Sequence, residues 1–239
     1  MSEVGLDDSF AEAMLVLERP GVERERFSAP FLKVFPVTGA SVSTLGDVLG
    51  SEIVSATDVD AERLDELQFD LGEGPCWDAL RLGGPVAVPD LPVEGRRRWP
   101  AFAEAARTVP VASIFAFPLA VGSLRLGAVD LYTQERTELT PDQARQAATM
   151  ARVIGRHLLQ EAVDTAGATD AAGSRYSRRV VHQATGIVLA QLDTTAEEAS
   201  LVVQGHAFAR NRPVSDVAAD VVAGRLHFRR VDGDIEVIE

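Results

Sequence analysis

Residues 175–228 read RYSRRVVHQATGIVLAQLDTTAEEASLVVQGHAFARNRPVSDVAADVVAGRLHF. Over Tyr176–Gln191, Val180, Ala184, Ile187 and Val188 recur on one helical face, while Arg178, Arg179, His182 and Thr185 look elsewhere. Leu192-Asp193-Thr194-Thr195 ends this helix and caps the next. Thr195 with Glu198 forms a capping box, worth about 1 kcal/mol. The second helix runs to Arg210, with Ala199, Val202, Val203 and Phe208 available to pack, and Asn211-Arg212-Pro213 breaks it. Val214, Val217, Ala218, Val221 and Val222 then give a third helix its apolar stripe, which Gly224 stops. Three short helices with one shared apolar interior make a compact bundle.

Charge separates this stretch from the rest of the chain. Residues 175–230 carry eight arginines against five carboxylates, whereas the 174 residues before them hold fifteen basic against twenty-seven acidic side chains. An anionic polymer would be repelled by the first part and tolerated by the second. A plain solvated helix surface explains the same arginines equally well.

The 239 residues suit one large or two modest domains, and 46% hydrophobic content is ample for a core. No apolar run approaches the roughly 18 residues that span a bilayer. The acidic Met1–Asp8 lacks a secretion pattern, so a cytoplasmic protein without membrane attachment is expected. Cys76 is the only cysteine, which leaves no internal disulfide and no cysteine-based metal cluster. Lys33 is the only lysine. A phosphate-binding G-x-x-x-x-G-K-[ST] loop and a kinase lysine are therefore absent, and a phosphoacceptor receiver is hard to build.

Upstream, helical spacing marks Ser9–Glu18, Glu23–Phe35, Ala61–Phe69 and Trp99–Arg107. Strand character marks Ala40–Leu45 and Val48–Ala56 around Gly46-Asp47, then Val86–Val88, then Ser113–Val121 and Leu126–Tyr132 around Gly122-Ser123. Gly72-Glu73-Gly74-Pro75-Cys76 enforces a tight, irregular backbone. Thr140-Pro141-Asp142 opens a long helix to about Val163, suited to act as a stalk between two copies. This order predicts an α+β domain around an antiparallel sheet of five or six strands. Asp164–Ser174, made of Ala, Gly, Thr, Asp and Ser, is the expected boundary.

Gln183-Ala184-Thr185-Gly186-Ile187-Val188, Thr195-Ala196-Glu197-Glu198-Ala199 and Asn211-Arg212-Pro213-Val214-Ser215-Asp216-Val217-Ala218 together resemble an ANTAR domain, a three-helix RNA-binding fold of bacterial antitermination regulators. The resemblance covers nearly all of residues 175–225. Where the family usually reads Ala-Lys-Gly, this chain has Ala184-Thr185-Gly186, which removes one basic side chain. Gly72–Cys76, Pro85–Leu91, Trp99–Phe102, Phe117-Pro118-Leu119 and Leu126–Tyr132 are similar to a GAF domain over roughly residues 22–163. The expected fold is therefore a GAF-like antiparallel sheet flanked by helices, followed by an ANTAR-like three-helix bundle. The expected layout is an N-terminal helix (1–21), a sensor domain (22–163), a linker (164–174), an RNA-binding domain (175–226) and a tail (227–239). Together they look like the GAF-and-ANTAR regulators of actinobacteria.

The resemblance implies a tandem-hairpin target in a nascent transcript leader, whose capture prevents a terminator from forming; a homodimeric regulator without enzymatic activity is expected. RNA-reading proteins usually bind unpaired loop bases and place arginines on the flanking phosphates. Arg178, Arg179, Arg210 and Arg212 are accordingly expected at phosphate, and His182, Gln183, Thr185, Asn211 and Ser215 at bases. Gly186 allows close approach, and Tyr176 either stacks or packs. Pairing of Arg178 and Arg179 with Glu197, Glu198 or other carboxylates remains the alternative.

No cofactor or metal signature appears, and the small molecule that such a sensor would bind is not identified by any residue pattern. Cys76, Trp77, Trp99 and Phe102 read more readily as core than as pocket. Asp90, Glu94 and Arg96–Arg98 fall in the loop that lines family pockets, or are simply solvated. His157, His182 and His206 form no recognisable catalytic arrangement. A ligand-sensing module whose basic helices dock an acidic protein is the competing reading.

Overall fold

The computed structural model describes residues 3–45, 49–166, 179–210, 212–231 and 234–238. They fall into two compact units, Met1–Tyr176 and Ser177–Glu239.

In the first unit, five strands form one antiparallel sheet: β1 (Gly39–Thr44), β2 (Glu52–Ala56), β3 (Val86–Val88), β4 (Ser113–Val121) and β5 (Leu124–Thr133). Their order across the sheet is β2-β1-β5-β4-β3. The β4–β5 hairpin pairs Ser113 with Thr133 and turns at Gly122-Ser123, as the alternating apolar pattern predicts. β2 starts at Glu52; the expected turn at Gly46-Asp47 and the expected strand start at Val48 lie outside the described residues.

Period-2 alternation sends side chains into two cores. Phe115, Phe117 and Leu119 of β4 join Val129 and Leu131 of β5 on one face. That face is covered by α1 (Glu3–Leu17), α2 (Ala29–Val34) and α7 (Pro141–Ala166) through Leu17, Phe31, Met150 and Ile154. Ile114, Ala116 and Tyr132 point the other way, toward α3 (Val59–Leu71), α4 (Pro75–Leu82) and α6 (Pro100–Ala105), where they meet Leu64, Ala79 and Phe102. One short turn of helix, α5 (Arg96–Arg98), precedes α6.

Three local departures have clear causes. The expected helix Glu23–Phe35 splits into a 3-10 turn at Arg24–Arg26 and α2, because Pro30 lies in the first turn of α2 and starts a new helix. Trp99–Arg107 likewise breaks up, with Pro100 opening α6 and a 3-10 turn following at Ala106–Thr108. The constrained run Gly72–Cys76 is both an end and a beginning. Gly72 closes α3 in the left-handed conformation, Gly74 caps α4, and Pro75 takes the first helical position.

In the second unit, α8 (Arg179–Leu192), α9 (Ala196–Ala209) and α10 (Val214–Val222) pack on one another. The capping box is present: Glu198 N–H donates to the Thr195 hydroxyl at 3.2 Å, and Thr195 N–H donates to the Glu198 carboxylate at 3.3 Å. The buried ridges are Val181, Ala184, Val188 and Leu192 on α8, Ala199, Val203 and Ala207 on α9, and Val214, Val217, Ala218 and Val221 on α10. The α8 ridge is thus displaced from the expected one, with Val181 buried and Val180 and Ile187 only half-buried.

Residues 227–239, expected as a tail, contain a two-stranded hairpin of β6 (His227–Val231) and β7 (Asp234–Ile238). It is tied to α8 by the Phe228 N–H, which donates to Gln191 Oε1 at 2.9 Å, and Leu226 and Phe228 are buried.

Candidate nucleic-acid interface

The buried ridge of α8 dictates what its other side presents. Because Val181, Ala184 and Val188 face the core, His182, Gln183 and Gly186 emerge together, three and four residues apart, on the exposed side. A Cβ added at Gly186 would meet nothing within 4 Å, so the helix backbone is open to a close-lying ligand. Thr185 is half-buried and its hydroxyl donates to the Val181 carbonyl at 2.9 Å, which turns its polar atom onto its own helix. Arg179 opens α8. Arg175, Tyr176, Arg178 and Asn211 lie outside the described residues.

The other expected contacts gather at the junction of α9 and α10. Arg210 caps α9, Ser215 is exposed in the first turn of α10, and the Arg212 N–H folds back to donate to the Ala207 carbonyl at 3.0 Å. Arg212 is not bare: its Nη2 lies 2.7 Å from Asp220 Oδ2. Arg225, absent from the sequence-derived set, approaches the other oxygen of the same carboxylate at 2.7 Å. Hydrogen bonds from Arg212 and then Arg225 hold the Asp220 carboxyl below its usual range, so it stays ionised and orders both guanidinium groups. Arg229 pairs with Glu236.

Phe208 was expected to pack and does not; it stands 77% exposed, and Leu201, seven positions earlier on the same side, is 61% exposed. A signal was present in the sequence. Leu201, Val202, Val203, Ala207 and Phe208 span more of the helix circumference than two neighbouring helices can cover.

The first unit offers a cavity of about 540 Å³ beside the edge strand β2 and the start of α3. Val54, Ala56 and Val59 supply its apolar wall, and Arg24, Glu52 and Glu62 its charged rim. Arg24 Nη2 lies 2.6 Å from Glu52. Burial, reinforced by Glu66 and Asp65, raises the Glu62 carboxyl above its ordinary pKa.

In and just after the 90–98 loop, Leu91, Trp99 and Phe102 are buried in the core, and Asp90 Oδ1 caps the Leu91–Gly95 turn by accepting from the Val93 N–H. Arg98 pairs with Asp78 at 3.0 Å and lies over the Trp99 ring. Cys76 is a core residue whose N–H donates to Gln68 Oε1 at 2.9 Å. Gln68 Nε2 in turn donates to Asp130, and the Ser43 hydroxyl donates to Asp65 at 2.7 Å. This polar seam crosses the α3 face of the sheet. Among the described residues, no helix is long and apolar enough to cross a membrane.

Residues 35–159 match the family model for the GAF domain, and residues 170–222 match that for the ANTAR domain. The former is a sensory domain and the latter an RNA-binding antitermination module; neither is a catalytic family. No curated protein matches the chain.

Among solved structures, the GAF domain of a phosphoenolpyruvate-protein phosphotransferase from Coxiella burnetii is 14% identical, covering 69% of this chain and 99% of its own, with a TM-score of 0.54. The corresponding Acinetobacter domain is 10% identical over 72% of this chain and 100% of its own, at 0.53. Free methionine-R-sulfoxide reductase from Neisseria meningitidis, solved with its substrate, is 13% identical over 70% and 95%, at 0.50. At such identities these likenesses speak for the fold alone.

Proposed function

Because the chain belongs to the GAF-domain family and carries an ANTAR domain after it, we infer a cytoplasmic regulator of transcription that works by antitermination. The ANTAR unit captures hairpin loops in nascent transcript leaders, and the GAF unit, on binding a small molecule, controls that capture. The chain acts as a homodimer and performs no catalysis. The observation that best supports this reading is the exposed face of α8, where His182 and Gln183 flank the unobstructed Gly186. Such a surface offers hydrogen-bonding groups to base edges and lets a nucleic-acid backbone come close.

The β2-side cavity falls within the size range of small-molecule sites and is the ligand site we assign to the GAF unit. The phosphate contacts are assigned to Arg178, Arg179, Arg210 and Arg212, and the base contacts to His182, Gln183, Asn211 and Ser215. Thr185, whose hydroxyl proton is already given to the Val181 carbonyl, is assigned to the base contacts as an acceptor.

Sequencing the RNA that co-purifies with the full chain is the direct test. Recovery of hairpin-bearing leaders supports the reading. If unrelated polyanions compete as well as the recovered RNA at physiological salt, charge attraction replaces sequence reading. Arg178→Ala with Arg179→Ala should weaken binding to every hairpin and reduce the slope of log affinity against log salt by about two. An unchanged slope in a filter-binding titration would remove both arginines from the interface.

A further inference from the structure

α9 ends in an aromatic side chain that the fold leaves uncovered. Phe208 projects into solvent on the last turn of the helix, and burying an aromatic ring is ordinarily among the largest gains available to a side chain. One turn of chain later, the Arg212 N–H is bonded to the carbonyl of Ala207, the residue before Phe208, which holds the Arg212 backbone against the last turn of α9. Asp220 then holds Arg212 and Arg225 on its two oxygens, leaving the guanidinium groups 42% and 63% exposed. An exposed flat ring at the end of α9 is therefore followed, four residues on, by a guanidinium group that shares one carboxylate with a second.

We propose that this junction of α9 and α10 is a nucleotide-step site: Phe208 stacks on an unpaired RNA base, and Arg212 with Arg225 takes the adjoining phosphate. The proposal rests on the RNA-binding reading above and names a contact within it. Aromatic faces stack on splayed loop bases whatever the base identity, because every base has a π-face. Arginine forks suit phosphate because their N–H groups match its oxygens in pairs. Asp220 serves as a positioning residue. It removes one unit of charge but fixes two long side chains that would otherwise lose conformational freedom on binding. Charge favours RNA over a protein partner here, since Arg212 and Arg225 bring two positive charges against the single negative one of Asp220.

The test uses the full-length chain and hairpin RNAs with a randomised loop, from which the tightest binder is selected and then made with 2-aminopurine at loop positions. Phe208→Ala should bind the selected hairpin about tenfold more weakly, with an unchanged salt slope, and should lose the fluorescence quenching of the stacked base. Phe208→Trp and Phe208→Tyr should keep both, whereas Phe208→Leu should not. Arg212→Ala with Arg225→Ala should instead flatten the salt dependence.

Selection of no hairpin by the unmodified chain would defeat the RNA reading and this proposal together. Selection of a hairpin that Phe208→Ala binds equally well would overturn the proposal and leave the reading intact. If Phe208→Leu binds as well as the unmodified chain, or Phe208→Ala changes the sedimentation of the protein without RNA, the ring is a protein contact and the proposal fails.

Discussion

Gly127→Ala should cost the first unit roughly 3 kcal/mol or more and shift its denaturation midpoint accordingly. Gly127 sits in β5 opposite Thr44 of β1 and adopts a φ of +157°, a conformation that L side chains rarely take. A Cβ there would be driven into the Ser43 carbonyl oxygen and would lie 2.7 Å from the Thr44 Cα. Both obstacles are backbone atoms of the central strand pair, so no rotamer change relieves them. β1 must move, and with it the β1–β5 ladder. Trp77 and Trp99, the only tryptophans, both belong to the first unit, so urea unfolding followed by tryptophan fluorescence reports that unit without interference from the second. An unaltered midpoint would show that the sheet yields at this point.

Asp130→Asn should stabilise the protein in alkaline solution and flatten its pH dependence. Burial, reinforced by Asp65, pushes the Asp130 carboxyl up to about 8, and the Gln68 hydrogen bond offsets only part of this. Asp130 Oδ1 is buried without a hydrogen-bond partner. The unfolded chain releases the Asp130 proton near about pH 4. The fold keeps that proton to about pH 8. Between these values the folded state binds more protons, so stability falls as pH rises.

The asparagine side chain keeps an acceptor for Gln68 Nε2 and cannot ionise, and should therefore gain on the order of 1–3 kcal/mol at the alkaline end. At the acid end the two proteins should melt together. Thermal melts across this window check the result, and equal slopes would mean that Asp130 is ionised in the fold at neutral pH.

Much of the first unit is legible in the sequence because local and global signals agree. Alternation in Ser113–Val121 and Leu126–Tyr132 around Gly122-Ser123 specifies a hairpin with both faces buried, and that hairpin forms the middle of the sheet. α4 escaped because Gly74-Pro75 reads as a turn when it is also a helix start. β6 and β7 escaped although Asp232-Gly233 is a strong hairpin signal between alternating residues.

The exposed face of α8 follows from its period, so His182, Gln183 and Gly186 could be placed together from sequence. Burial on α9 could not be, since which of several apolar sides is covered depends on where α8 and α10 lie. The shared hold of Asp220 on Arg212 and Arg225 is also tertiary. It depends on the chain folding back after α9, which spacing alone does not announce.

The hairpin after α10 sets where the second unit can be trimmed. The ANTAR match stops at residue 222, yet Leu226 and Phe228 are each only 3% exposed. The Phe228 ring also meets His206 edge-on, with centroids 5.6 Å apart. Losing one buried phenylalanine costs about 3–5 kcal/mol, comparable to the entire stability of a small domain. A fragment clipped at 222 should show helical far-ultraviolet dichroism without a cooperative melt, whereas one carried through 238 should melt in a single sharp step. The smallest autonomous piece should thus be longer than the recognisable motif, with Leu226 and β6 closing its core.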